Sequence, residues 1–194
     1  MILKNFVVFE GIDGSGTSTQ IKLLAQNFPH DKVFVSAEPT SKETGLFLRR
    51  MLKKDFSVSE ITASYLFAAD RAEHIFGKDG VIEQTKLGKL ALSDRYFFSS
   101  LAYQSVSCGK EIPQIINSPF PLPQLLFFFR IDPEISIKRV ASRGETQEIY
   151  EKLDFQKKTA KLYESVIDEY RGQKGLGMTI IDVDASKSIE EIRD

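Results

Sequence analysis

The stretch from Asn5 to Gln20, "NFVVFEGIDGSGTSTQ", restricts the fold more than any other part of the chain. A short apolar, β-branched and aromatic run passes without a break into glycines at 11, 14 and 16, and then into residues of helical character. That order reads as a buried strand, a tight backbone turn and a helix beginning near Thr17. Gly11, Gly14 and Gly16 can take positive φ and turn backbone N–H groups inward, while the helix aims the positive end of its dipole at the same point, which makes a cradle for a phosphate. The string falls one residue short of G-x-x-x-x-G-K-[ST]: Thr17 stands where the lysine is expected, and Ser18 keeps the hydroxyl that such loops turn toward Mg²⁺. Taken alone, the same letters also describe a plain Gly/Ser turn between strand and helix.

Four more apolar runs, "KVFVSA", "LALSD", "LLFFFRI" and "MTIIDV", are separated by helix-like segments. Each is nearly continuous rather than alternating, so the expectation is a parallel sheet buried on both faces, an α/β/α sandwich of three layers. No repeat, low-complexity block or long linker interrupts the 194 residues, and with 42% hydrophobic content one domain with its own core is expected. In open parallel sheets ligands bind beyond the carboxyl ends of the strands, where the sequence puts Gly11–Thr19, Glu38–Pro39 and Asp94–Arg95. Lys and Arg total 26 against 27 Asp and Glu, so no broad basic field exists to hold nucleic acid. The apolar run at the start is too short for a signal or membrane segment, and the single cysteine, Cys108, reads as a small partly buried hydrophobe; a cytoplasmic protein is expected.

The second chemical constellation is "LSDRYFFSSLAYQ". Asp94 closes an apolar strand, where a carboxylate can hold a water of a Mg²⁺ shell, and Arg95 follows with a planar fork suited to a phosphate. Tyr103 and Gln104 lie about two turns into a helix beginning near Tyr96. A surface ion pair and ordinary helix packing are the plain alternatives.

Together, "FEGIDGSGTSTQ", "FAADRAEH", "DRYFFSSLAYQ" and "IDVDASKSIEEI" resemble, in order and spacing, the thymidylate kinase family, which phosphorylates dTMP to dTDP with ATP and Mg²⁺. The resemblance runs from Phe9 to Ile192 and implies the P-loop kinase fold with a five-stranded parallel sheet. It implies that Gly11, Ile12, Asp13, Gly14, Ser15, Gly16, Thr17, Ser18 and Thr19 hold ATP, with Asp13 also facing the dTMP sugar and phosphate. Phe67 matches the aromatic that stacks on thymine. Arg71 matches the arginine on a base carbonyl, a donor that suits thymine O4 and rejects the amino group of cytosine. Arg95 and Arg49 match grips on the monophosphate, Tyr103 matches the ring that excludes a ribose 2′-hydroxyl, and Ser100 and Gln104 meet base or sugar. A lid is expected near 138–153, with Arg139 and Arg143 as its phosphate-binding cations. Arg95, Asp13 and Arg143 are the residues expected to act in catalysis, and Ser18 and Asp94 those toward the metal. Relatives are usually homodimers, and the helix around Leu66–Ile75 is the expected seam.

The chain departs from the family pattern at Thr17, at Ile149 in the lid, at "SAEPTSK", which lacks an arginine and paired glycines, and at Arg130 after the fourth strand. These departures leave two other readings open, a nucleotide-binding protein without useful turnover and a kinase for another nucleotide.

Overall fold

A computed structural model describes residues 1–142, 150, 152–173, 175 and 177–194. All five apolar runs lie in strands: β1 (Ile2–Gly11), β2 (Val33–Ala37), β3 (Leu90–Asp94), β4 (Leu122–Arg130) and β5 (Thr179–Asp184). They form one sheet in the order β2-β3-β1-β4-β5, every neighbouring pair parallel. β1 is the central strand, so its glycine loop emerges in the middle of the carboxyl edge, directly beside the end of β3, where Phe9 pairs with Asp94.

Alternation along β1 feeds two cores. Phe6 and Val8 point into the larger one, with Leu48, Ile75, Phe98, Leu101, Tyr163 and Ile167 from the helices α2 (Glu43–Leu52), α3 (Glu60–Phe76), α5 (Phe97–Cys108) and α8 (Leu153–Gly172). Val7 and Phe9 point to the other face, against Ile21 of α1 (Thr17–Ala25), Leu92, Phe129 and Ala185. This gives the three layers expected from continuous apolar strands. The outer strands depart from that expectation: Val35 of β2 and Ile181 of β5 are 46% and 41% exposed. Edge strands have a neighbour on one side only, and an apolar run does not by itself reveal that position. No helix among the described residues is long and apolar enough to cross a membrane.

Ser59, Asp132 and Ser188 cap α3, α7 (Pro133–Ala141) and α9 (Ile189–Arg193) through their side chains. α1, like α2, α5 and α8, has no side-chain cap; what sets it apart is its N-cap Gly16, left-handed at φ 95°. Gly14 is also left-handed at φ 83°, where a Cβ would stand 2.5 Å from the Ser136 carbonyl oxygen of α7. Gly11 is different from the expectation of positive φ. It remains in β1, and a side chain is excluded there by Ser15 Oγ at 2.7 Å and the Phe129 carbonyl oxygen at 2.9 Å from a built Cβ.

Candidate active site

Two concavities flank the glycine loop. The first, about 220 Å³, lies beyond the carboxyl ends of β1, β2 and β3 and brings together all eight residues expected around dTMP: Asp13, Arg49, Phe67, Arg71, Arg95, Ser100, Tyr103 and Gln104. Phe67 is only half-buried and forms a wall of this cavity, so it is not simply core. Glu38, Asp94, Ser99 and Tyr150 also line it.

Arg71 is held from several sides at 1% exposure. Its Nε donates to Glu38 Oε2 at 2.9 Å, Nη2 to Ser100 Oγ at 3.0 Å and Nη1 to Asn117, while Nη2 and Glu38 Oε2 form an ion pair at 2.7 Å. The rings of Tyr96 and Phe120 pack over the guanidinium. His74 Nδ1 lies 2.9 Å from the other Glu38 oxygen. An arginine fastened in this way has one orientation. The neighbouring Asp70 accepts from Thr40 N–H at 2.8 Å, and from the Thr40 and Thr44 hydroxyls at 2.6 Å each, which pins the "SAEPTSK" turn. Arg49 donates to the carbonyls of Pro39 and Thr40, so the turn that lacks the family's paired glycines is tied down by side chains.

Arg95 stands between the cavity and the loop. Its backbone is left-handed at φ 74°, a conformation that costs an L-residue about 1–3 kcal/mol, and both its peptide groups are fixed: N–H to the Phe9 carbonyl at 2.9 Å and C=O from Ser93 Oγ at 2.7 Å. Nη1 donates to the Gly11 carbonyl at 2.8 Å and Nη2 to Asp13. The Tyr103 ring lies under the guanidinium, 5.1 Å from its centre, and the Tyr103 hydroxyl accepts from Asp13 N–H at 3.0 Å. Burial works against the Arg95 cation, but Tyr103, Asp13, Tyr163 and Asp94 outweigh it and raise its pKa well above the ordinary value. Burial also pushes Glu10, next to Gly11, up to about 7, opposed by hydrogen bonds from Ser99, the charge of Arg95, and hydrogen bonds from Tyr163 and the Tyr96 N–H.

The second concavity, about 230 Å³, lies on the other side of the loop and is lined by Gly14, Ser15, Gly16, Thr19, Gln20, Arg139 and the turn from Lys187 to Ile189. Thr17 is buried at the start of α1. Ser18 Oγ donates to Asp94 Oδ2, so the two residues expected toward a metal meet; Asp94 Oδ1 is buried and has no hydrogen-bond partner among the described residues. No cluster of three His, Cys, Asp or Glu side chains suited to a metal occurs among those residues. Mg²⁺ does not require one, because it keeps several waters and takes one or two protein oxygens alongside substrate phosphates. Arg139 lines this hollow beside Gly14, Ser15 and Gly16, and its fork donates to the carbonyls of Ala185 at 2.8 Å and Ser186 at 3.3 Å, which braces that turn. Arg143 and Ile149 lie outside the described residues.

The thymidylate kinase family model matches residues 9–194. The chain is 41% identical to a putative thymidylate kinase of Treponema pallidum, over all of this chain and 93% of that one. It is 36% identical to the probable thymidylate kinase of Methanocaldococcus jannaschii over 99% of this chain and 93% of that one. It is also 36% identical to that of Pyrococcus abyssi, over 97% and 92%. The chain belongs to the thymidylate kinase family. As a member of that family it is an enzyme that phosphorylates dTMP with ATP.

Several residues around this cavity were not anticipated. Asp70 holds the turn described above, and Glu38, expected only at the sheet edge, holds Arg71. Gln156 is fully buried, and its Nε2 donates to Asp13 Oδ2 at 2.8 Å and to the Tyr150 carbonyl at 2.9 Å. Glu10 offered the clearest signal, a carboxylate inside an otherwise apolar strand next to the loop. Arg130, an outlier against the family pattern, joins β4 to α8 through Glu164 at 2.8 Å and to β5 through Asp182 at 3.1 Å.

Proposed function

We propose that the two concavities are the acceptor and donor halves of one site, in which the dTMP phosphate attacks the γ-phosphorus of ATP and ADP leaves. The observation that carries this reading is the convergence of Phe67, Arg71, Arg95 and Tyr103 on one cavity, next to an uncapped helix start with two left-handed glycines. Phosphoryl transfer asks the protein for little beyond position and charge neutralisation. In this account Phe67 stacks on thymine, and Arg71 donates to its O4. Tyr103 closes the space a 2′-hydroxyl needs, with Ser100 and Gln104 beside base and sugar. Arg95 and Arg49 hold the acceptor phosphate while Asp13 faces it.

On the donor half, backbone N–H groups of residues 11–19 surround the ATP phosphates. Ser18 and Asp94 would hold Mg²⁺, and the unpartnered Asp94 Oδ1 suits a water of its shell; when bound, the ion would neutralise charge on the phosphates. Thr17 adds a hydroxyl and no charge. The segment near 138–153 is read as a lid in a single-domain enzyme, and its Arg143 as the cation that replaces the loop lysine. A cytoplasmic homodimer fits this reading, but the expected seam needs adjusting: Ile75 is core, and the exposed apolar residues of α3 are Ile61, Tyr65 and Phe76.

A substrate panel tests the acceptor assignments. With ATP, kcat/KM for dTMP should exceed that for dCMP by at least about 100-fold, because a site built around a fixed donor leaves it unpaired with the wrong base. Equal values for the two would remove the role given to Arg71. Tyr103→Ala should narrow the preference of deoxyribose over ribose, and an unchanged preference would remove the role given to Tyr103.

A further inference from the structure

Behind Arg95, on the side away from the cavity, the buried Glu10 carboxylate accepts four hydrogen bonds. Two come from the backbone at the start of α5, Tyr96 N–H at 2.8 Å and Ser99 N–H at 3.3 Å. Two come from hydroxyls, Ser99 Oγ at 2.6 Å and Tyr163 OH of α8 at 2.8 Å. The same two hydroxyl oxygens lie 3.2 Å and 3.3 Å from Arg95 Nη1, and 2.6 Å from each other.

The proton arrangement follows from the donor inventory. Ser99 and Tyr163 have one hydroxyl proton each, and above the Glu10 pKa of about 7 the carboxylate is ionised and can only accept. Whether both protons point at Glu10, or the Tyr163 proton reaches it by way of Ser99, the protons run toward the carboxylate and lone pairs are left for the guanidinium. Without an acceptor at position 10, nothing fixes that direction, and a hydroxyl proton can turn against the N–H of Arg95.

We propose that Glu10 is a positioning residue for acceptor-phosphate recognition, acting through Ser99 and Tyr163 to fasten the Nη1 edge of Arg95 and leave the Nη2 edge facing the cavity. This rests on the reading of Arg95 as a grip on the dTMP phosphate. The geometry favours it, since Nη1 is occupied by three acceptors, Gly11, Ser99 and Tyr163, of which only Ser99 lines the cavity, whereas Nη2 meets Asp13 and lies 3.5 Å from Tyr103, both of which line it. Glu10 itself is fully buried and does not line the cavity, although its hydrogen-bond donors Tyr96 and Ser99 do.

The test compares dTMP with thymidine, which lacks the phosphate, by calorimetric titration of the parent protein, Glu10→Gln, Tyr163→Phe, their double variant, and Arg95→Ala, with folding of each checked by circular dichroism. Glu10→Gln and Tyr163→Phe should each weaken dTMP binding about tenfold, the scale of one charge-assisted hydrogen bond, while thymidine affinity stays within about twofold. The double variant should be little weaker than the poorer single one, because both act on the same arginine. If Glu10→Gln fails to fold, Tyr163→Phe, which deletes only one hydroxyl, decides alone. Folded variants that bind dTMP as tightly as the parent, or that lose dTMP and thymidine alike, overturn the proposal. Unchanged dTMP affinity in Arg95→Ala would overturn the phosphate-grip reading itself and this inference with it, whereas weakened binding there with normal binding in the other variants overturns only the role of Glu10.

Discussion

On the acceptor side of the cleft, Arg71 and Arg95 are already gripped by Glu38, Asn117, Ser100, Asp13 and the Gly11 carbonyl; on the donor side, backbone glycines face a hollow whose arginine, Arg139, is spent on bracing a turn. The contrast follows the demands of the two ligands. Telling one pyrimidine from another requires a donor that cannot swing, and buried partners supply that stiffness. A triphosphate needs only many donors and enough positive charge, which backbone amides, a metal and a cation from elsewhere in the chain can provide. On the proposed reading, a lysine missing from the loop should cost less than an arginine missing from the acceptor pocket would.

The sharpest way to break this contrast is Arg95→Ala. It should lower the rate of dTDP formation by about two to three orders of magnitude, as removal of a donor that acts on the transferring group does. Parent-like turnover would mean that the acceptor side is not held by its arginines.

Next in size is Glu38→Ala. Removing one member of a buried ion pair should destabilise the fold by about 3–5 kcal/mol, measured by urea unfolding, because Arg71 is left without its carboxylate. A loss under about 1 kcal/mol would indicate that Arg71 readily finds other partners and that the acceptor side is softer than its hydrogen bonds imply.

Glu10 gives a pH signature. Its pKa is raised from 4.5 to about 7, chiefly by burial, so the folded state keeps this proton more tightly than the unfolded chain. That contribution is fullest below pH 4.5 and falls as pH rises to about 7, by about 3 kcal/mol, then stays constant. Glu10→Gln should flatten this part of the profile of unfolding free energy against pH. A slope identical to the parent's would place the titration elsewhere.

The smallest effect is expected on the donor side. Thr17→Lys should raise turnover by less than about tenfold if another cation already serves the phosphates; an isolated missing donor would restore about 10²–10³. Arg143→Ala should be costly in the parent and much less so beside Thr17→Lys, and strictly additive effects would rule Arg143 out as the substitute.

Strand positions and the residues that gather around the first cavity were legible in the sequence for different reasons. Continuous apolar runs state burial directly, and Phe67, Arg71, Arg95 and Tyr103 sit in strings whose spacing carries the resemblance. Partnerships across the chain were not legible: Gln156 and Asp13 are 143 positions apart, and Tyr163 and Glu10 are 153 apart, so no local pattern joins them. The expectation for Gly11 fails for a physical reason: residue type alone suggests a positive-φ glycine, but its reason for being glycine is a close approach by Ser15 and β4.

That this acceptor pocket and this lysine-free loop together carry the reaction is tested most directly by steady-state formation of dTDP by the unaltered purified protein, supplied with ATP, Mg²⁺ and dTMP. The account predicts saturable turnover that depends on all three. Tight binding of dTMP with no dTDP produced would contradict it.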